Sequence, residues 1–187
     1  MKKEFDRFKI WLNDNYKEGI DDLNPPASDE EIKELKDTLG LTLPSDLICL
    51  LKIHNGQKGN SAWLFDSQEF LSTHGIINAW NNWNTFFQTD TFPKNKANSD
   101  LGIKDDWWNK KWIPFCSPGS GDHYCIDLDP TKMGKSAQII TLWHDYDERE
   151  LVSLSLKDWF NDYIEQLFSG DFFYSKEYNS IVNKNEI

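Results

Sequence analysis

Apolar residues along this chain fall into two periods. Over residues 3–16, Phe5, Phe8, Trp11 and Leu12 recur at helical spacing and predict an amphipathic helix. A Pro-containing stretch, Asp21–Pro26, follows. Ser28 with Glu31 three residues later has the form of a capping box, and Ile32, Leu35 and Leu39 carry a helical face as far as Gly40. Leu43-Pro44-Ser45-Asp46 opens a third helix, with Leu47, Leu50, Leu51 and His54 on one side and Asn55-Gly56 as its stop. Trp63-Leu64-Phe65 reads as a short strand. Ile76, Trp80, Trp83 and Phe87 share one helical face, whereas residues 88–106 show no period and read as a loop.

From Trp112 the period shortens. Trp112–Cys116, His123–Leu128 and Gln138–Trp143 read as strands separated by Gly/Pro/Ser/Asp turns, with Leu151–Leu154 as a fourth. Ser155 and Asp158 resemble another cap, opening a helix whose face is Phe160, Ile164, Leu167 and Phe168 and which ends at Gly170. The last seventeen residues stay open between a short helix and a tail. In the second strand, alternation puts Tyr124, Ile126 and Leu128 on the buried side with Trp112 or Phe115, and turns His123, Cys125 and Asp127 the other way. Helices, then a meander of strands, then a helix predict an α+β fold with a mainly antiparallel sheet and helices packed on one face.

Composition narrows the function classes. At 187 residues the chain suits one domain, and nine Trp with twelve Phe supply a large core. Thirty-one acidic residues against twenty basic ones give a formal charge of −11. Such a balance repels phosphate backbones, so no nucleic acid is expected as a direct ligand, and a basic protein partner is favoured. Three cysteines without CxxC spacing indicate neither a disulfide framework nor a zinc knuckle. The amino terminus is broken by charge every two or three residues, and no apolar run reaches the ~18 residues of a membrane span. A cytoplasmic protein with no membrane partner is the expectation.

The stretch Cys116-Ser-Pro-Gly-Ser-Gly-Asp-His-Tyr-Cys-Ile-Asp-Leu-Asp-Pro130 concentrates the candidate chemistry. His123, Cys125 and Asp127 project from one side of a strand, and Cys116 from a neighbouring strand would add a fourth metal donor. The plainer account is that they are the far face of a half-buried strand. Gly119-Ser-Gly121 lacks the lysine and spacing of a phosphate loop, and a tight turn needs those glycines anyway. A hydrolase would recruit Asp122, His123, His144 and Asp145 with Cys116 or Cys125 as nucleophile, but only the residue types are visible, not their convergence. We read the stretch as a hairpin with its turn at the surface, with no catalytic residue, metal or cofactor. His54 reads as a hydrogen-bonded, partly buried histidine, and Trp80 and Trp83 as core.

Several phrases together resemble a known family. Leu43-Pro44-Ser45-Asp46-Leu47 leading to Asn55-Gly56, Trp112-Ile113-Pro114-Phe115, and Gly121-Asp122-His123-Tyr124-Cys125-Ile126-Asp127-Leu128-Asp129-Pro130 occur in the order found in the SUKH superfamily. The resemblance is to the branch of the fungal cell-wall-synthesis regulator and runs from about Ile32 to Gly170. Residues 1–26 are then an amino-terminal helical extension and 171–187 a tail of a single domain, 1–187. The resemblance implies an α+β domain with about six strands, helices on one side and no cofactor. Bacterial members are non-enzymatic cytoplasmic immunity proteins that neutralise polymorphic or contact-dependent toxins, often nucleases, while the fungal branch is a regulatory interaction protein. The amino-terminal helix 3–16 and the segment 76–108 depart from the family pattern.

Together these readings favour an immunity protein that occludes a basic toxin domain through an acidic surface. A regulatory scaffold of the fungal type is the alternative, and a small hydrolase the second alternative. The expected contact residues are Asp122 in the hairpin turn, Asp145, Asp147, Glu148 and Glu150 beyond the third strand, and Trp107 or Trp108 as an exposed anchor. Two adjacent indoles cannot both face inward from a regular element. Whether Asp122 and the Asp145 run lie at one end of the sheet is left open.

Overall fold

The structure is a computed structural model and describes residues 1–88 and 96–185. Four helices come first: α1 (Lys2–Asn15), the short α2 (Glu18–Asp21), α3 (Asp29–Leu39) and α4 (Ser45–Ile53). β1 (Glu69–Phe70), α5 (Thr73–Gln88) and β2 (Asn98–Ser99) lead into the meander β3 (Trp112–Ser117), β4 (His123–Asp127), β5 (Gln138–Leu142), β6 (Glu148–Arg149) and β7 (Leu151–Ser153). The chain then forms α6 (Leu156–Ser169) and the hairpin β8 (Phe172–Ser175) and β9 (Ser180–Asn183). The central sheet is antiparallel with strand order β1-β3-β4-β5-β7, so the α+β expectation holds.

Local chemistry sets the helix ends. The Ser28 hydroxyl accepts from the Glu31 amide at 3.1 Å, and the Glu31 carboxylate accepts from the Ser28 amide at 2.7 Å, a reciprocal capping box. At α6 the Ser155 hydroxyl accepts from the Asp158 amide at 3.1 Å and donates to the Asp158 carboxylate at 2.7 Å, a side-chain cap without the return bond to the Ser155 amide. Gly170 closes that helix in the left-handed region at φ 80°.

The buried stripes of α1, α4 and α6 meet on one face of the sheet. Phe5, Phe8, Leu50, Phe65, Phe160 and Ile164 pack there against Ile113, Phe115, Ile126 and Ile139. The β4 parity is as expected. Ile126 is fully buried in this core, with Tyr124 and Leu128 half-buried beside it, and Phe115 shares that side. Trp112 pairs with Asp127 and points to the other face.

That other face is covered as well. Trp83, Ile103, Trp107, Trp108, Trp112, Cys125, Ile140 and Leu142 form a second apolar layer, contributed by the far half of α5 and the segment before β3. His123 and Asp127 turn away from the main core yet are buried, at 4 % and 0 % exposed, because this layer closes over them.

Three further readings need correction. Trp63-Leu64-Phe65 makes only single bridges, Trp63 to Ser180 and Phe65 to Gln68, because Asp66 and Ser67 at φ 50° and 57° turn the chain; the strand falls at Glu69–Phe70. Phe87 is exposed, and the packed face of α5 ends at Trp83 and Asn84. Within the segment read as loop, residues 89–95 lie outside the described residues, and Asn98–Ser99 pairs in parallel with Glu148–Arg149. The last seventeen residues form a hairpin as far as they are described. Phe172, Ile181 and Val182 are buried, and Tyr174 stacks on Tyr16 with centroids 3.9 Å apart.

Candidate functional site

The ladder register places the candidate residues. His123 pairs with Leu142, so the β3–β4 turn and the chain leaving β5 lie at the same end of the sheet. Asp122, at the end of the turn, accepts from the His144 backbone amide at 2.9 Å, from its ring Nδ1 at 2.8 Å and from the Ser120 hydroxyl at 2.9 Å. The other ring nitrogen of His144 lies 3.0 Å from the Asp145 carboxylate. Partial burial pulls the Asp122 carboxyl upward, but the bonds from His144 and Ser120 outweigh it and leave the group below the usual carboxylate range. Asp122, Trp143, Tyr146, Glu148 and Glu150 line one shallow cleft of about 400 Å³, and Asp145 and Asp147, which flank Tyr146 in the chain, are exposed. The acidic patch is therefore not divided between opposite ends.

The acidic run is held from beneath by a buried cation. Arg149, fully buried between Glu148 and Glu150, donates through Nη1 to the Tyr146 and Glu148 carbonyls, both at 2.8 Å, and through Nη2 to the Trp107 carbonyl at 2.9 Å. Its guanidinium lies 5.1 Å from the centre of the Trp107 ring. Burial lowers its pKa to about 10, which leaves it cationic at neutral pH. The backbone of the run is pinned while its carboxylates face water, which distinguishes it from a loosely solvated turn.

Trp107 and Trp108 are not exposed anchors. Both are buried, at 8 % and 3 % exposed. They lie in irregular backbone, where successive side chains need not alternate, so both turn inward. Trp108 Nε1 donates to Asn84 Oδ1 at 3.0 Å, and its ring stacks on Trp83 at 5.5 Å. The aromatics that face the cleft are Trp143, half-buried, and Tyr146, 65 % exposed. Tyr146 was legible as an aromatic embedded in a charge run. Nothing in the periodicity marked Trp143.

The metal donors do not converge. Cys116 packs in the main core and Cys125 in the tryptophan layer, with the sheet between them. Among the described residues no three His, Cys, Asp or Glu side chains are grouped to hold an ion. Asp127 accepts instead from Trp112 Nε1 at 3.0 Å, Gln138 Nε2 at 2.9 Å and the Asp129 amide at 2.8 Å, while burial raises its carboxyl above the usual range. The thiols of Cys116 and Cys125 are pushed up by burial, away from the thiolate a nucleophile needs. His123 is held near 4 by burial, with Nδ1 2.9 Å from the Cys116 carbonyl oxygen. His54 is half-buried, and its Nδ1 lies 2.7 Å from the Asn24 carbonyl oxygen. Among the described residues no helix is long and apolar enough to cross a membrane.

The family model described as SMI1/KNR4 (SUKH-1) matches residues 26–162. The chain belongs to the SUKH-1 family. Among its relatives, the glucan synthesis regulatory protein of Neurospora crassa is 25 % identical over 217 residues, covering 97 % of this chain and 41 % of the relative. KNR4/SMI1 homolog 2 of Debaryomyces hansenii is 25 % identical over 209 residues, 90 % of this chain and 35 % of the relative. Cell wall assembly regulator SMI1 of Saccharomyces cerevisiae is 19 % identical over 200 residues, 88 % and 40 % respectively. The chain thus spans about two-fifths or less of the length of these relatives. Two of the three are named as regulators, and none of these names is that of an enzyme.

Proposed function

We propose that this SUKH-1 chain is a non-enzymatic regulatory module that binds a basic protein segment at the acidic end of its sheet. The observation that carries the reading is the similarity, over most of the chain, to proteins named as regulators of glucan synthesis and of cell wall assembly. The arrangement at the cleft supports the mode of action. Five carboxylates, Asp122, Asp145, Asp147, Glu148 and Glu150, attract and orient a cationic partner, and Tyr146 and Trp143 offer the apolar contact that slows its departure. Protonated, buried thiols and a neutral, tethered His123 support a role without catalysis. Its working place is the cytoplasm, in keeping with three unpaired cysteines, one of them exposed.

The test is to reverse Asp145, Asp147 and Glu148 to Lys and compare proximity labelling by the wild-type and reversed chains in the cells that make them. The expected result is a partner set involved in cell-wall synthesis that the reversed chain loses, with association that weakens as salt rises. An unchanged partner set would sink the acidic end as the binding surface. A second reading, immunity against a basic toxin domain such as a nuclease, is supported by the same charge. Rescue of growth on co-expression with a toxin domain encoded next to this chain would replace the regulatory reading with it.

A further inference from the structure

Beside the acidic cleft, across the β3–β4 turn, lies a larger cavity of about 560 Å³ between α5 and the sheet. Strand alternation builds its floor. Phe70 and Cys116 pair and enter the main core, so the adjacent pair, Glu69 and Ser117, turns to the opposite face and lines the cavity. On the next strand Tyr124 faces the main core, and His123 therefore faces the cavity. The walls are apolar: Leu71, Ala79, Trp83 and Phe86. Gly121 and His144 form the border shared with the acidic end.

Two acceptors in the cavity lining, His123 Nε2 and the Glu69 carboxylate, have no partner among the described residues. His123 has its Nδ1 against the Cys116 carbonyl, so Nδ1 carries the hydrogen. Burial keeps the ring neutral, which leaves Nε2 with a lone pair and no hydrogen-bond partner among the described residues. Glu69 is half-buried, and no donor or cation pairs with its carboxylate among the described residues; burial and the nearby Asp22 hold its pKa above the usual range. A desolvated carboxylate without a partner is costly, and a cation entering the cavity would relieve it. Glu69 and His123 stand two strands apart, about 10 Å between backbones, a gap that their side chains and a forked donor can bridge.

We propose that this cavity receives an arginine side chain of the basic partner, its guanidinium donating to the Glu69 carboxylate and His123 Nε2 and stacking against the Trp83 ring. Arginine fits because it carries only donors, in a flat fork that stacks on aromatic faces, and its stem matches the apolar walls. The ammonium of lysine is compact and strongly hydrated and stacks poorly; an uncharged aromatic group would leave Glu69 unpaired. The proposal rests on the reading of the acidic end as a docking surface and names the anchor beside it.

The test uses the whole 15N-labelled chain and a defined probe, N-acetyl-arginine methylamide, followed by NMR shifts of the Gly119, Gly121 and His123 amides and the Trp83 indole. A ligand of this size should bind with Kd on the order of millimolar. The uncharged citrulline analogue should bind at least about tenfold more weakly, the difference expected of one charge-assisted hydrogen bond. Glu69→Gln should abolish the preference for arginine over citrulline. Asn82→Trp, placed on the exposed side of α5 at the cavity mouth, should block both probes while the thermal midpoint holds. Equal binding of arginine and citrulline, no cavity shifts up to about 50 mM probe, or an unchanged Glu69→Gln variant would overturn the proposal. Shifts confined to Tyr146 and Glu148 would also overturn it while leaving the acidic docking surface standing. Cavity binding together with an unchanged partner set for the Asp145, Asp147 and Glu148 reversal would instead remove that surface and keep the arginine site.

Discussion

The two faces of the central sheet are both buried, but by different means. One is covered by α1, α4 and α6 with aromatic rings in close contact, tilted at 5.1 Å between Phe65 and Phe70 and edge to face at 5.7 Å between Phe8 and Phe160. The other is closed by a helix end and an irregular segment, and its packing is threaded with polar groups: Asp127, Gln138, His123 and Arg149. The first face obtains its stability from apolar area, which is non-directional and tolerant of small shifts. The second depends on directed bonds, so each lost partner leaves a buried group exposed to the full desolvation cost. The acidic cleft and the larger cavity beside it both border the second face. The two surfaces proposed to bind a partner thus adjoin the layer held by directed bonds rather than the helical layer.

The largest effect separating the faces should come from Phe65→Ala. Phe65 is fully buried and touches Phe8, Phe70, Trp159, Phe160 and Tyr163. Its truncation should cost about 3–5 kcal/mol in urea unfolding, with loss of hydrogen-exchange protection throughout the molecule. Trp108→Ala should cost less, about 3 kcal/mol, because irregular backbone relaxes into the space more readily than helices do. Its loss of protection should stay within residues 96–112. Equal and global losses for the two variants would show that the faces form one cooperative layer.

The second face should also respond to acid. His123 has a folded pKa of about 4 against an ordinary 6.5. As pH falls, the unfolded chain takes up the proton first, so the stability tied to the neutral ring is complete above about 6.5 and is lost down to about 4. At roughly 1.4 kcal/mol per unit the loss approaches about 3 kcal/mol. Comparing wild type with His123→Gln at pH 7 and pH 4.5 isolates it from the exposed carboxylates. A stability difference independent of pH would mean that His123 is not held neutral.

Much of the first face was legible in the sequence. Helical spacing of Phe5, Phe8, Trp11 and Leu12, the capping box at Ser28, the side-chain cap at Ser155, and the parity of Tyr124, Ile126 and Leu128 are local signals, and local signals survive folding. The second face was not, because its organising contacts join residues far apart in the chain. Arg149 holds the carbonyl of Trp107, forty-two positions away, and Asn84 receives the indole of Trp108. No period announces such pairs. One trace was present: Trp112–Cys116 and Ile139–Leu142 are almost continuously apolar, the signature of strands covered on both sides rather than on one. The acidic residues were found by type, and only the ladder register could show that they share one end.

The smallest effect on stability should be the most informative about function. Tyr146 is 65 % exposed, and what the fold uses of it is its carbonyl oxygen, which accepts from Arg149. Tyr146→Ala keeps that carbonyl, so stability should change by no more than about 0.5 kcal/mol. If the acidic cleft docks the partner, the same change removes an aromatic contact flanked by Asp145 and Asp147 and should weaken association at least about tenfold, mainly through faster dissociation. Reversal of Asp145, Asp147 and Glu148 should act on the other rate, slowing association and flattening its salt dependence. The split between the rates distinguishes a docking surface from general charge attraction. If Tyr146→Ala left dissociation unchanged while the charge reversals slowed association, the acidic end would only steer the partner, and the anchor would have to be sought at the arginine cavity beyond the turn.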